Sequence, residues 1–242
     1  MKKSILFVAA AASMAAPAAA DTLKKVPATL NPAKAYILVE YRLMPNPLAS
    51  FPGSRKTLPL TSGLIFARYD AELRDIRGLG RATSNPVPGK QAATEPFRNR
   101  EIVRGDAARL HLIEVEPDLW VVQGFGNTSF SLGSNSFRLE PGTVTDLGVA
   151  EAAMDWAEGD RAQTAGDIFT MALAGPFAKR PDVAPVRVSF RPRTDQDIAV
   201  PPSLPRDKLR AVAFVPNAKF GNYLGGLVNR IEGVNAQVKA PE

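Results

Sequence analysis

The only histidine in the sequence, His111, is the one side chain able to act as an imidazole base. A Ser/His/Asp hydrolase needs that base beside a nucleophile, but the chain has no Gly-x-Ser-x-Gly motif. No lysine stands three residues after a serine, so the Ser-x-x-Lys arrangement is absent as well. Because His111 lies between two leucines in an apolar run, we predict a structural or half-exposed histidine and assign no catalytic residue.

Cysteine is absent from the sequence. The chain therefore has no disulfide bond, no thiol nucleophile and no thiolate ligand for a metal. With a single histidine besides, a tight zinc site is not expected. We predict neither a cofactor nor a metal site.

One stretch concentrates acidic side chains at Asp155, Glu158, Asp160 and Asp167. Two carboxylates facing each other across a cleft could act as acid and base on a glycosidic bond, and several could hold calcium. The spacing matches no calcium loop, and interspersed glycines are typical of a solvated connection. We favour the solvated connection and keep a carboxylate-dependent hydrolase that uses Asp155, Glu158 or Asp160 as an alternative.

Residues 124–129, Gly-Phe-Gly-Asn-Thr-Ser, are superficially similar to a phosphate-binding loop. Such a loop needs a lysine and a following helix, and the sequence supplies neither here. We therefore predict a turn.

Five aromatic residues are the candidate contacts for a ligand: Phe51, Tyr69, Phe97, Trp120 and Trp156. A ligand groove stays open as a hypothesis, because loops on a rigid sheet scaffold commonly carry recognition. For the aromatic residues in predicted strands, core packing is the favoured alternative, since alternate residues of each strand face the interior of a sandwich.

The elements that would position these residues are mainly strands, and their signals are densest over residues 119–148. Residues 129–132 and 136–139 are near copies that alternate polar and apolar side chains, and Gly-Ser-Asn lies between them. This pattern predicts a β-hairpin. Further strands are predicted over residues 35–42, 62–69, 109–115, 119–123, 143–147, 186–190 and 210–215.

Two short helices are predicted in the C-terminal third. Thr164 or Asp167 would cap the first, which would run through residue 172 before Gly175 and Pro176. The second would span residues 223–232, where four apolar residues recur at helical spacing, although its two adjacent glycines cost roughly 2 kcal/mol of helix propensity. The fold expected is an antiparallel β-sandwich with one or two short helices.

The segment Phe137-x-Leu139-x-Pro141-Gly142-x-x-x-x-Leu147-Gly148 resembles a turn of prealbumin-like and carboxypeptidase-regulatory-like sandwich domains, which include uncharacterised secreted bacterial ones. The resemblance covers about a dozen residues. It implies a sandwich fold and no catalytic residue.

Residues 1–20 have the three parts of a secretory signal: Lys2 and Lys3, an apolar run, and small residues ending at Ala20. The apolar run is shorter than the ~20 residues of a membrane-spanning helix. No cysteine follows, so lipid modification of the new amino terminus is excluded. We predict cleavage near Ala20, a periplasmic or secreted protein, and no transmembrane segment in the mature chain.

The formal net charge is +6, and loss of Lys2 and Lys3 with the signal leaves +4. Charges alternate in sign along residues 68–77, which is typical of a solvated face and unlike a phosphate-binding stripe. Nucleic acid is therefore not an expected partner. A basic protein is still attracted to anionic envelope surfaces.

These observations predict four segments: a signal peptide at residues 1–20, an extended segment at 21–34, one sandwich domain at 35–232 and a flexible tail at 233–242. The function expected is non-catalytic binding of an envelope component or partner protein. Its contact surfaces would be the loops at residues 44–56, 86–100 and 192–205, which are long for a compact domain. The alternatives are the carboxylate hydrolase and a carrier of a hydrophobic ligand.

Overall fold

A computed structural model describes residues 21–42, 63–84, 100–155, 184–228 and 234–236, and these are mainly β. None of the helices in those ranges is long and apolar enough to cross a membrane. Short 3-10 helices lie at Gly80–Ser84 and Arg206–Lys208. The strands are β1 (Asp21–Leu23), β2 (Ala35–Arg42), β3 (Leu64–Asp70), β4 (Asp75–Ile76), β5 (Val103–Arg104), β6 (Ala108–Val115), β7 (Leu119–Phe125), β8 (Thr128–Ser129), β9 (Ser134–Arg138), β10 (Val144–Met154), β11 (Val186–Arg191), β12 (Leu209–Ala211), β13 (Val215–Ala218), β14 (Leu227–Val228) and β15 (Val234–Ala236).

The first sheet has eight strands in the order β1-β6-β2-β10-β11-β15, with β5 also on β6 and β12 also on β10. Strands β2 and β6 pair antiparallel along the whole of β2. Strand β1 lies in the segment predicted to be extended and pairs with β6, and β15 lies in the predicted tail and pairs with β11.

The second sheet has seven strands in the order β13-β9-β7-β3-β4, with β8 pairing to β7 and β14 pairing to β8. Side chains from both sheets form one apolar core, which includes Val39 and Tyr41 from the first sheet and Phe66, Val121 and Phe137 from the second. The rings of Tyr41 and Phe125 stack within this core, with their centroids 5.9 Å apart.

The expectation of strictly antiparallel sheets is wrong, because both sheets are mixed. Strand β10 runs parallel to β2 and to β12, and β14 runs parallel to β8. A tight turn forces neighbouring strands to be antiparallel, whereas a long connection leaves the direction open. About a hundred residues separate β2 from β10, so no local signal sets their relative direction.

The first sheet is buried on both faces, which explains why nearly all of β2 is inaccessible. One face contributes to the shared core. The other carries a second apolar cluster, with Tyr36, Leu38, Leu110, Leu112 and Val144 in the sheet. Its cover includes Leu23, Val26 and Leu30 near the amino terminus and Ile198, Val200 and Leu204 further along.

This second cluster gives the proline-rich loop at residues 192–205 a structural role, and the contact surface predicted there stays a prediction for its exposed outer side. Leu204 is only 1% exposed and belongs to the cluster, and Ile198 and Val200 pack against it. The inner side of the loop therefore covers the second face of the first sheet and is not available to a partner. The other two predicted loops, 44–56 and 86–100, lie outside the described residues except for Arg100.

The predicted hairpin between residues 129–132 and 136–139 is also wrong. Strands β8 and β9 do not pair with each other, and both pair antiparallel with the same edge of β7. Phe130 is fully buried, and its N–H donates to the Gln123 carbonyl at 3.0 Å, while Gly133 N–H closes a turn onto Phe130. Burial of Phe130 thus outweighs the local hairpin pattern. The turn predicted within residues 124–129 is confirmed.

The helix predicted over residues 223–232 is wrong for its described part, residues 223–228. Gly225 has a φ of +67°, outside the helical region, and Leu227–Val228 forms β14. A Cβ on Gly226 would lie 1.9 Å from the Asn127 carbonyl oxygen, so this glycine permits close backbone approach.

The strand predicted at 210–215 is divided between β12 and β13, which lie in different sheets. The helix predicted near residues 164–172 lies outside the described residues.

Candidate functional site

The first sheet divides at Leu147 and Gly148 of β10. Strand β2 occupies one edge of β10, so β12 and β11 share the other edge: β12 pairs with residues 144–146 and β11 with residues 149–154. The pairing of β10 with β2 also shifts register between Asp146 and Val149. Strands β12 and β11 therefore pair with the same edge of β10 on opposite sides of Gly148.

Glycine is required at this division for two reasons. Gly148 has a φ of +77°, which side-chain-bearing residues rarely adopt. A Cβ at this position would also lie 2.1 Å from the Arg191 carbonyl oxygen. The close passage of β11 against β10 thus depends on the missing side chain.

A groove with a volume of about 420 Å³ opens at the division. Its lining consists of residues 146–148 and 190–193 together with Leu209, Ala211, Val212 and Phe214, and we call it the Gly148 groove. Leu147 and Phe190 are 2% and 3% exposed, whereas Val212 and Phe214 are half-buried. Concave sites of roughly 300–1,000 Å³ with mostly apolar walls are typical of small-molecule binding.

Phe214 connects the groove to the core. Its ring lies 5.0 Å from that of Phe190 in the first sheet and 5.8 Å, edge to face, from that of Phe137 in the second. Phe137 in turn meets Phe66 edge to face at 5.7 Å. Such aromatic contacts hold ring orientation. The wall that Phe214 forms is therefore supported from both sheets.

Arg193 lines the groove and forms ion pairs with two carboxylates beside it. It donates from Nη1 to Glu40 Oε2 at 2.6 Å and from Nη2 to Asp146 Oδ1 at 3.0 Å. Its remaining contacts are longer: Nε to Asp146 Oδ2, Nη1 to the Ile198 carbonyl and Nη2 to the Gly148 carbonyl. Glu40 is fully buried and also accepts the Ile198 N–H at 2.8 Å.

A second cluster of charges lies beside the first. Arg191 donates to both carboxylate oxygens of Asp197 at 2.7 Å, and Arg42 forms a further ion pair with Asp197. The hydrogen bonds from Arg191, more than any other contact, hold the pKa of Asp197 well below its usual range. The pKa of Arg191 is raised by the same pair. Asp197 also accepts the Thr194 N–H, which closes the loop on itself.

These contacts leave little polar capacity for a ligand. Arg42, Arg191 and Arg193 balance three carboxylates, those of Glu40, Asp146 and Asp197, and every N–H direction of Arg193 has an acceptor. An anion entering the groove would have to displace an internal partner. What the groove offers is therefore apolar contact with Leu147, Phe190, Val212 and Phe214.

Two of the five sequence-predicted contacts, Tyr69 and Trp120, lie in the described residues, and neither lines this groove. Tyr69 and Trp120 are 5% and 2% exposed and belong to the shared core. The Tyr69 hydroxyl donates to the Lys219 carbonyl at 3.2 Å, and the Trp120 indole N–H donates to the Glu116 carbonyl at 3.0 Å. Their placement matches the core-packing alternative. Phe51, Phe97 and Trp156 lie outside the described residues.

His111 lies in the middle of β6 and is 1% exposed. Burial is the main cause that lowers its pKa to about 4, so the imidazole is neutral at neutral pH.

Asp155 follows β10, where its N–H donates to the Pro185 carbonyl at 2.8 Å. Glu158 and Asp160 lie outside the described residues, so the convergence of the three carboxylates stays a prediction. Within the described ranges, no group of three potential ligands is arranged to hold a metal ion.

The residues of the Gly148 groove were missed by sequence reasoning. They come from three segments that meet only because β10 changes partners at Gly148. The one available signal was the glycine after Leu147 inside an apolar strand, since glycine within a strand marks a bulge or a close backbone approach. No protein-family model, curated protein or solved structure matches the chain.

Proposed function

We propose that the chain is a secreted, periplasmic, non-catalytic binding protein of the bacterial cell envelope that holds the apolar part of a small molecule in the Gly148 groove. The observation that carries this proposal is an apolar groove of about 420 Å³ whose neighbouring arginines are already paired internally. An acyl chain or an uncharged ring system fits this lining, because binding needs no charged partner from the protein.

The proposal includes a β-sandwich in which the two sheets pack face to face. Its support is the single core to which both sheets contribute. The prealbumin-like resemblance is part of the same proposal. Phe137, Leu139 and Leu147 of that motif are buried in the shared core, and Gly142 of its Pro-Gly turn has a positive φ.

The periplasmic location is proposed from the first twenty residues, which have the basic, apolar and small-residue parts of an export signal. In that location the protein would meet membrane lipids, whose acyl chains are apolar. A binding protein without a disulfide needs a substantial core, and two clusters of buried apolar residues supply it.

The test is native mass spectrometry of the protein purified gently from the periplasm of its own cells. We expect a stoichiometric adduct of low mass that is released by organic solvent. The apolar ligand is then identified from the extract. A chain that remains bare, and that also fails to bind an uncharged probe such as N-phenyl-1-naphthylamine at the groove, would overturn the proposal.

A further inference from the structure

A second concave surface shares no lining residue with the Gly148 groove. It has a volume of about 700 Å³ and is lined by residues 74–75, 80–81, 219–221 and 223, and we call it the Asp75 pocket. One wall comes from the turn before β4 and the start of the 3-10 helix Gly80–Ser84, and the other from the segment after β13. Two separate parts of the chain therefore meet in it.

Asp75 joins the two walls. Its carboxylate accepts the backbone N–H groups of Ile76 and Arg81, both at 2.9 Å, and that of Gly221 at 3.1 Å. The Tyr223 hydroxyl lies 2.9 and 2.8 Å from the two carboxylate oxygens. Asp75 is only 4% exposed, so these donors replace its water. The carboxylate thus organises the pocket without facing solvent.

The hydrogen bonds at Asp75 also determine its charge state. Burial works to raise its pKa, but the donors from Gly221, Tyr223, Arg81 and Ile76 outweigh burial and lower the pKa below its usual value. Burial, followed by the hydrogen bond to Asp75, raises the pKa of Tyr223 to about 12. At neutral pH the pair is a carboxylate and a protonated phenol.

Three positively charged side chains line the Asp75 pocket: Arg74, Arg81 and Lys219. All three side chains are exposed, and none forms an ion pair with a carboxylate of the described residues. This differs from the Gly148 groove, where the arginines are paired with carboxylates. Within the part of the chain that the structure describes, the pocket lining therefore combines three cations with the one carboxylate of Asp75 and carries a net positive charge.

Arg74 is held in an unusual backbone conformation, with a φ of +52°. A residue with a side chain costs more than glycine in this left-handed region. The turn that contains Arg74 is secured by Asp70, whose Oδ1 accepts the N–H groups of Glu72 and Leu73. With this backbone conformation, Arg74 lines the same pocket as Arg81.

We propose that the Asp75 pocket binds a phosphate-bearing ligand carrying at least two negative charges, such as a diphosphate or a phosphorylated sugar. Guanidinium groups match phosphate oxygens in pairs, and lysine adds a mobile point charge. The site is independent of the Gly148 groove, since the two share no residue.

The experiment is calorimetric titration of the mature protein with inorganic pyrophosphate at low ionic strength. We compare the wild type with the variant Arg74→Gln/Arg81→Gln/Lys219→Gln. The matched control, Lys24→Gln/Lys25→Gln/Lys208→Gln, removes the same charge from exposed lysines elsewhere. We expect one site per chain and a loss of about tenfold or more in affinity for the pocket variant. The control should stay within about twofold.

An equal loss of pyrophosphate affinity in both triple variants would overturn the site, because the protein's net charge alone would then explain binding. Failure of the wild type to bind pyrophosphate would overturn it as well. The single variant Lys219→Gln repeats the comparison should the triple variant fail to fold. Sedimentation with vesicles of phosphatidylglycerol or of phosphatidylcholine separates the sources of phosphate. Selective, pyrophosphate-competed binding to the anionic vesicles indicates a lipid headgroup, and pyrophosphate binding without sedimentation indicates a soluble phosphate.

Discussion

Glu40 on β2 accepts a hydrogen bond of 2.6 Å from Arg193, which lies 153 residues further along the chain. Glu40 is inaccessible to solvent, and the Arg193 side chain is 11% exposed. The pair holds the start of the proline-rich loop against β2 of the first sheet, beside the Gly148 groove. The same arginine holds Asp146 of β10. One residue thus connects the loop to two strands.

Replacing Arg193 by methionine should destabilise the fold by about 3 to 5 kcal/mol, because the fully buried Glu40 would keep the longer ion pair with Arg42 but lose its closest partner, and the half-buried Asp146 would lose Arg193 as well. The measurement is the free energy of unfolding in urea. Arg187→Met is the control, since Arg187 is exposed on the adjacent β11 and should change stability by less than about 0.5 kcal/mol. A cost below about 1 kcal/mol at Arg193 would show that the network does not secure the loop.

His111 should make stability fall as the solution is acidified. Its pKa is about 4 in the fold and its ordinary value is 6.5, so below pH 6.5 the unfolded chain binds the proton more readily. Stability from neutral His111 is complete above pH 6.5 and is lost down to about pH 4, by about 3 kcal/mol in total. His111→Gln should remove this slope. NMR titration of the single imidazole gives its pKa directly, and a value near 6.5 would contradict the prediction.

Gly148→Ala should cost about 2 kcal/mol or more, because the new methyl group meets the Arg191 carbonyl in addition to the unfavourable φ. Gly225→Ala separates the two effects. Gly225 also has positive φ, but nothing lies within 4 Å of its Cβ position, so about 1 kcal/mol is expected there. Both values come from chemical denaturation. Equal costs would mean that the backbone contact at Gly148 relaxes freely.

Ala211→Trp should block the Gly148 groove while leaving the fold intact, because Ala211 is exposed and lines the groove. We expect the adduct in native mass spectrometry to disappear and the melting temperature to change by only a few degrees. Ala213→Trp is the matched control, since Ala213 is exposed two residues away and does not line the groove. Retention of the adduct by Ala211→Trp would place the ligand elsewhere.

Much of the strand content could be predicted from local sequence. Residues 35–42 form β2 as predicted, because Ile37, Val39 and Tyr41 alternate with Tyr36, Leu38 and Glu40 at the period of a strand. The prediction did not reveal that both faces of β2 are buried. The second face needs a cover, and its residues lie near the amino terminus and around residue 200.

Errors arose where local pattern competed with burial or close packing. Phe130 belongs to the core, so residues 130–133 turn and the hairpin does not form. Leu227 and Val228 satisfy backbone hydrogen bonds by pairing with β8, although their spacing with Leu224 is helical. Local propensity is weak compared with such tertiary contacts.

The sequence by itself determined the β class and most of the long strands, because side-chain periodicity and composition are local properties; the export signal at its amino terminus stays a prediction. Only the tertiary structure decided the parallel pairing of β2 with β10, the division at Gly148 and the meeting of Arg74, Arg81 and Lys219 around Asp75. Each of these joins segments far apart in the chain. Their contact depends on which strands share an edge, and strand pairing over long separations leaves no periodic signal in the sequence.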